Sequence, residues 1–140
     1  MSADEKPRRI LAVDFGERRT GLAATDYTGT IALPLPALVG LAERACAEAI
    51  GNVARDRESQ LIVVGLPLAA RGEIGARAQR TLAFVASLRA VAPCPVATVD
   101  ETFSTDEAHQ RLAGMKAAQR KKHADSVAAV VILERYRSGR

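Results

Sequence analysis

Four acidic residues hold the chemistry this chain can perform: Asp14, the neighbours Asp100 and Glu101, and Asp125. Asp14 closes the apolar run 10–13, and Asp100-Glu101 closes the run 95–99. Both runs read as strands, and carboxylates at the C-terminal ends of strands sit where open α/β sheets place their ligand crevices. Side chains alternate along a strand, so only one of Asp100 and Glu101 can share a side with Asp14. Alternation alone leaves open which of them it is. Asp125 stands three, four, seven and eleven residues before Ala128, Ala129, Ile132 and Tyr136, at the head of a helical stripe expected to pack inward. In a first helical turn an Asp also complements the helix dipole with no further role. On an inward stripe, however, a carboxylate costs free energy unless a cation or hydrogen-bond donors meet it.

Carboxylates drawn from separate elements repel one another, and the simplest partner for them is a divalent ion. All-oxygen ligation suits Mg²⁺ or Mn²⁺, and the two histidines lack zinc-ligand spacing. Such ions at the end of a sheet point to phosphoryl chemistry, with an activated water and a stabilised leaving oxygen. Lys121-Lys122-His123 precede Asp125 directly and are placed to hold a phosphate backbone. Arg19 could reach a phosphate from the turn containing Gly16 and Gly21. Phe15 and Phe103 adjoin the acids and could stack on a base, although aromatics at 4% and no Trp leave backbone contacts dominant. The stretch around Gly65, Pro67, Gly72 and Gly75 lacks Walker spacing and its Lys-Ser/Thr, so it reads as a shaped loop beside the site.

The elements that must position these groups follow from periodicity. Strands are expected at 10–13, 20–25 and 30–35, the last stopped by Pro34 and Pro36, with Asp26-Tyr27-Thr28-Gly29 as a hairpin turn. An amphipathic helix follows at 38–57, with Leu41, Ala45, Ala49 and Val53 as its stripe. A buried strand at 61–64 leads to a second helix, marked by Ile74, Ala78, Leu82 and Val85 and ending near 92. A fifth strand spans 95–99. Ser104 and Glu107 have capping-box spacing and open a short helix ending near Gly114. A basic loop to His123 precedes a last helix at 124–137. The order β-β-β-α-β-α-β-α-α implies an α/β fold: a five-stranded mixed sheet, three antiparallel strands then parallel ones, flanked by helices. Residues 1–9 read as a flexible lead, 10–137 as one domain and 138–140 as a tail.

Composition bounds the partners. At 140 residues, 48% hydrophobic and 26% charged, the chain can bury a single core without disulfides. No apolar run reaches the roughly 18 residues of a membrane span, and the first residues lack the apolar core of a signal peptide. Cys46 and Cys94 read as reduced thiols, which implies a cytoplasmic protein. From Glu107 onward eight basic residues face three acidic ones, whereas the rest of the chain sums to −1. A basic end on a near-neutral body is a footprint for a polyanion.

Four blocks then become recognisable in order: VDFGERRTGLAATD (Val13 to Asp26), VVGLPL followed by Gly72, VDETFSTDEA (Val99 to Ala108) and KKHADSVAAVVIL (Lys121 to Leu133). Together they resemble the YqgF/RuvX family, over nearly the whole chain from about Arg9 to Tyr136. The resemblance implies an RNase H-like fold and a metal-dependent nuclease that matures the 5′ end of the 16S rRNA precursor. It also leaves room for a non-catalytic RNA-binding ribosome assembly factor or a Holliday junction resolvase-like DNA nuclease. By position it assigns Asp14, Glu101 and Asp125 as catalytic and metal-holding residues, with Arg19, Lys121 and Lys122 expected to bind substrate. The expected partners are precursor rRNA or structured DNA and no membrane, with the protein a monomer or homodimer. One departure from the family pattern stands out: Thr102 follows Asp-Glu where the family has Arg, and a hydroxyl cannot supply that charge.

Overall fold

The computed structural model describes residues 7–68, 74–101 and 117–138, and within the last helix the side chains only from 126 onward. Five strands form one sheet: β1 (Ile10–Asp14), β2 (Arg19–Thr25), β3 (Ala32–Val39), β4 (Leu61–Leu66) and β5 (Val96–Asp100). Their order across the sheet is β3-β2-β1-β4-β5. β1 pairs antiparallel with β2 and parallel with β4, β2 pairs antiparallel with β3, and β4 pairs parallel with β5. This is the mixed sheet expected from the order of elements.

Among the described residues three helices cover it: α1 (Glu43–Asp56), α2 (Ala76–Val91) and α3 (Ala117–Ser138). The central strands are apolar on both faces, so alternate residues serve different layers. Leu11 and Val13 of β1 and Ile62 and Val64 of β4 join Ile50, Phe84 and Leu88 beneath α1 and α2. Ile10 and Ala12, with Leu61 and Val63, join Ala129, Ile132 and Leu133 beneath α3. That parity decides where Asp14 points: as the next even-numbered residue of β1 it belongs to the α3 face.

Several boundaries differ from expectation for physical reasons. β3 runs through Pro34 and Pro36 because it is an edge strand, where a missing N–H need not break a ladder. α1 buries Cys46, Ala47, Ile50, Gly51 and Ala54 in place of the expected stripe. An Ala-rich helix offers two apolar stripes, and the one with Gly51 lets α2 approach: a Cβ there would lie 3.2 Å from the Val91 carbonyl oxygen. In α2, Ile74 precedes the helix and Leu82 is exposed, while Ala78, Thr81, Phe84, Val85 and Leu88 are buried. β4 continues to Leu66, with Gly65 inside it, and β5 is Val96–Asp100. α3 begins at Ala117, so Lys121, Lys122 and His123 lie on a helix and not in a loop. Ala, Gln, Arg and Lys between 117 and 122 are strong helix formers and extend it backward. The expected short helix at 104–114, Thr102 and Phe103 lie outside the described residues.

One buried hydroxyl pins α3 to the sheet. The β2–β3 register slips between Thr20 and Leu22, and there the Leu22 N–H donates to Ser126 Oγ at 3.2 Å. Ser126 Oγ in turn donates to the Leu35 carbonyl at 2.6 Å. Ser126→Ala takes the acceptor from the buried Leu22 N–H and a donor from the half-buried Leu35 carbonyl, and chemical denaturation should register a loss of about 1–3 kcal/mol.

Candidate active site

Asp14 and Glu101 meet at the C-terminal end of the sheet. Asp14 is the last residue of β1, and Glu101 follows β5, its N–H donating to the Leu66 carbonyl at the end of β4 at 3.1 Å. Their side chains lie close enough for the Glu101 carboxyl to act on Asp14 as a hydrogen-bonding neighbour. Burial raises the Asp14 pKa above its ordinary value, and the Glu101 hydrogen bond and the nearby positive charge of Arg77 offset part of that rise. The competition between Asp100 and Glu101 is thereby resolved. Asp100 is exposed, whereas Glu101 is only 8% exposed.

Gly65 makes the arrangement fit. A Cβ at this position would collide with Ile132 Cδ1 and stand 2.9 Å from Glu101 Oε2. The hydrogen at Gly65 is therefore the space in which the Glu101 carboxylate lies. From sequence Gly65 is expected in a loop, yet a lone glycine that continues a strand pattern is the signal that marks close approach.

Asp125 is one residue before Ser126, and Ser126 is tied to Leu22, the register partner of Val13 beside Asp14. Its backbone position, one turn ahead of the fully buried Ala129 and two ahead of Ile132, is on the sheet-facing stripe of α3. Its side chain lies outside the described residues, as do those of Lys121 and Lys122. Arg19 opens β2, exposed, in register with Val39. Among the described residues no cluster of three or more metal-ligating side chains is present.

Phe15 departs from expectation. Its ring stacks on Phe84, centroids 4.0 Å apart and 8° from parallel, so it serves the core and is not presented to a base. Gly16 is required by the turn after β1, since a Cβ there would collide with the Arg19 carbonyl. Cys46 and Cys94 are free thiols, and burial pushes both above the ordinary thiol range. No helix among the described residues is long and apolar enough to cross a membrane.

Comparison with known proteins gives this geometry a context. A curated protein of Chloroflexus aggregans named "Putative pre-16S rRNA nuclease" is 42% identical over 134 residues, covering 94% of both chains. One from a Roseiflexus species with the same name is 36% identical, covering 92% of this chain and 93% of its own. Among solved structures, Thermus thermophilus RuvC superposes with a TM-score of 0.57 at 16% identity, covering 94% of this chain and 96% of that one. A second structure of that protein, in complex with a Holliday junction substrate, gives 0.57 at 19% identity over 94% and 96% of the two chains. At such identities the likeness is one of fold, RNase H-like. Residues 8–138 match the family model RuvX, described as Holliday junction resolvase, and with relatives this similar over nearly its full length the chain belongs to the RuvX family.

Proposed function

We propose that this protein is a divalent-metal-dependent nuclease of the cytoplasm, hydrolysing phosphodiester bonds in RNA and acting on the 5′ end of the 16S rRNA precursor. The observation that carries the reading is the Asp14–Glu101 carboxyl pair, joined at the C-terminal end of the sheet on the face covered by α3. Relatives named for pre-16S rRNA support the choice of RNA as substrate.

The donor set fits a hard cation. Two carboxyl groups brought together in a shielded position repel when both are charged, and a divalent ion placed between them offsets that repulsion. Asp14, Glu101 and Asp125 would hold Mg²⁺ or Mn²⁺, which when bound neutralises charge at the phosphate and lowers the pKa of a water. The chain's own part is positional. Glu101 is fixed by its backbone bond to Leu66 and by the gap at Gly65, and Asp14 is fixed by the β1 ladder. Ser126 sets the depth at which α3 brings Asp125 to the sheet. Lys121 and Lys122 on α3, with Arg19 on β2, draw the phosphate backbone toward the acids.

The test is incubation of the purified protein with a transcript spanning the 16S precursor leader, with Mg²⁺, with Mn²⁺ and with EDTA. Discrete cleavage with either ion and none with EDTA is expected. Salt-sensitive binding without product at stoichiometric protein would overturn the enzymatic reading in favour of an assembly factor. Cleavage of a four-way DNA junction in preference to the transcript would redirect it to a resolvase.

A further inference from the structure

The residues that directly follow Asp14 in the chain, Phe15, Gly16 and Glu17, line a cavity of about 290 Å³ together with Arg77, Arg80 and Thr81 of α2. Its floor is rigid. Phe15 is stacked on the fully buried Phe84, Thr81 is buried on α2, and the turn at Gly16 is held against Arg19. Its lip is cationic. Arg77 and Arg80 stand one turn apart on α2, both exposed, and the first turn of α2 contains no acidic residue to cancel them. The two arginines have different neighbours. Arg80 is paired with Glu17, Nε to Oε1 at 3.4 Å, whereas Arg77 lies near enough to Asp14 for its charge to act on that carboxylate.

An exposed Arg beside a shielded acid is poorly explained as a stabilising ion pair. Solvent screens it, and such pairs contribute about 0–1 kcal/mol. A guanidinium offers planar donors that fit phosphate oxygens, and a rigid recess beside a hydrolytic centre is where the chain flanking the scissile group must lie. We infer that Arg77 is a substrate-positioning residue, holding a backbone phosphate next to the scissile one over the Phe15–Thr81 cavity, independent of base identity. This deepens the proposed nuclease function and rests on it. Arg80, partly neutralised by Glu17, contributes less.

The experiment is fluorescence anisotropy with a labelled RNA hairpin bearing a single-stranded 5′ extension, titrated over a salt series. All proteins carry Asp14→Asn, so that no cleavage competes. Arg77→Ala should weaken binding several-fold and reduce the slope of log Kd against log salt by about 0.7–0.9, the signature of one lost phosphate contact. Arg77→Lys should keep the slope, and Arg80→Ala should change it less than Arg77→Ala does. An unchanged slope in Arg77→Ala, whether or not affinity falls, overturns the inference while leaving the nuclease reading intact so long as the parent protein binds. A parent protein that does not bind the hairpin overturns both.

Discussion

Asp14→Asn abolishes cleavage, by on the order of 10³-fold, the scale on which a group stabilising charge in the transition state acts, and it leaves the protein folded. The substitution keeps the shape of the side chain and a hydrogen-bonding partner for Glu101. What it removes is a negative charge that burial disfavours. Relieving that penalty should raise Tm in metal-free buffer by a few degrees, so the variant is more stable and less active at once. The pH dependence has a definite sign. Because the folded-state pKa of Asp14 lies above that of the unfolded chain, the native state binds the proton more readily. Wild-type stability contributed by this group therefore declines as pH rises from the ordinary aspartate range through the raised folded value, and remains lower above it. In Asp14→Asn that component of the slope disappears. Added Mg²⁺ should stabilise wild type at neutral pH, by mass action on the native state, and do so much less for the variant. Melting curves with and without the ion, over a pH series, check all three expectations.

Gly65→Ala reaches the same site from the opposite direction, through packing. The position is in register with Val99, one step before the C-terminal end of the β4–β5 pair, and the added methyl collides with Ile132 Cδ1 and crowds Glu101 Oε2. Ile132, on the sheet-facing side of α3, is fully buried and has little room to yield in a close-packed layer. Overpacking of this kind costs about 1–3 kcal/mol. The carboxylate is pushed from its place against Asp14, and a misplacement of this size can cost on the order of 10²-fold in rate. A second substitution separates the two effects. Gly65→Ala with Ile132→Val removes the colliding Cδ1 and should recover most of the stability, while the contact with Glu101 persists and cleavage stays low. Full recovery of cleavage in the double variant would show that the Glu101 position is indifferent to Gly65.

How much of this was legible in the sequence depends on which physical signal each residue leaves. Buried strands announce themselves by short apolar runs, and the carboxylates that end β1 and β5 are conspicuous because polar groups rarely follow such runs without purpose. Parity along β1 could place Asp14 on one face, but it could not choose between Asp100 and Glu101. That choice was made by the backbone bond from Glu101 to Leu66 beyond the end of the strand, a long-range contact with no local signature. The helix stripe containing Asp125 was legible because its apolar residues recur at helical spacing. The α1 stripe is not legible, because Ala, Gly and Cys leave the buried side of a small-residue helix ambiguous. Pro34 and Pro36 read locally as strand breakers, but their tolerance depends on β3 being at the edge of the sheet, which is a property of the assembled fold. Arg77 is one arginine among many in the sequence, and only the fold sets it against Phe15 and Gly16, the residues that follow Asp14.

The measurement that bears most directly on the account is anomalous scattering from crystals soaked in Mn²⁺. The predicted result is a peak between the Asp14 and Glu101 carboxylates, with the Asp125 carboxylate from α3 as a further ligand. A map with no peak there, and with Asp125 turned away from the sheet, would contradict it.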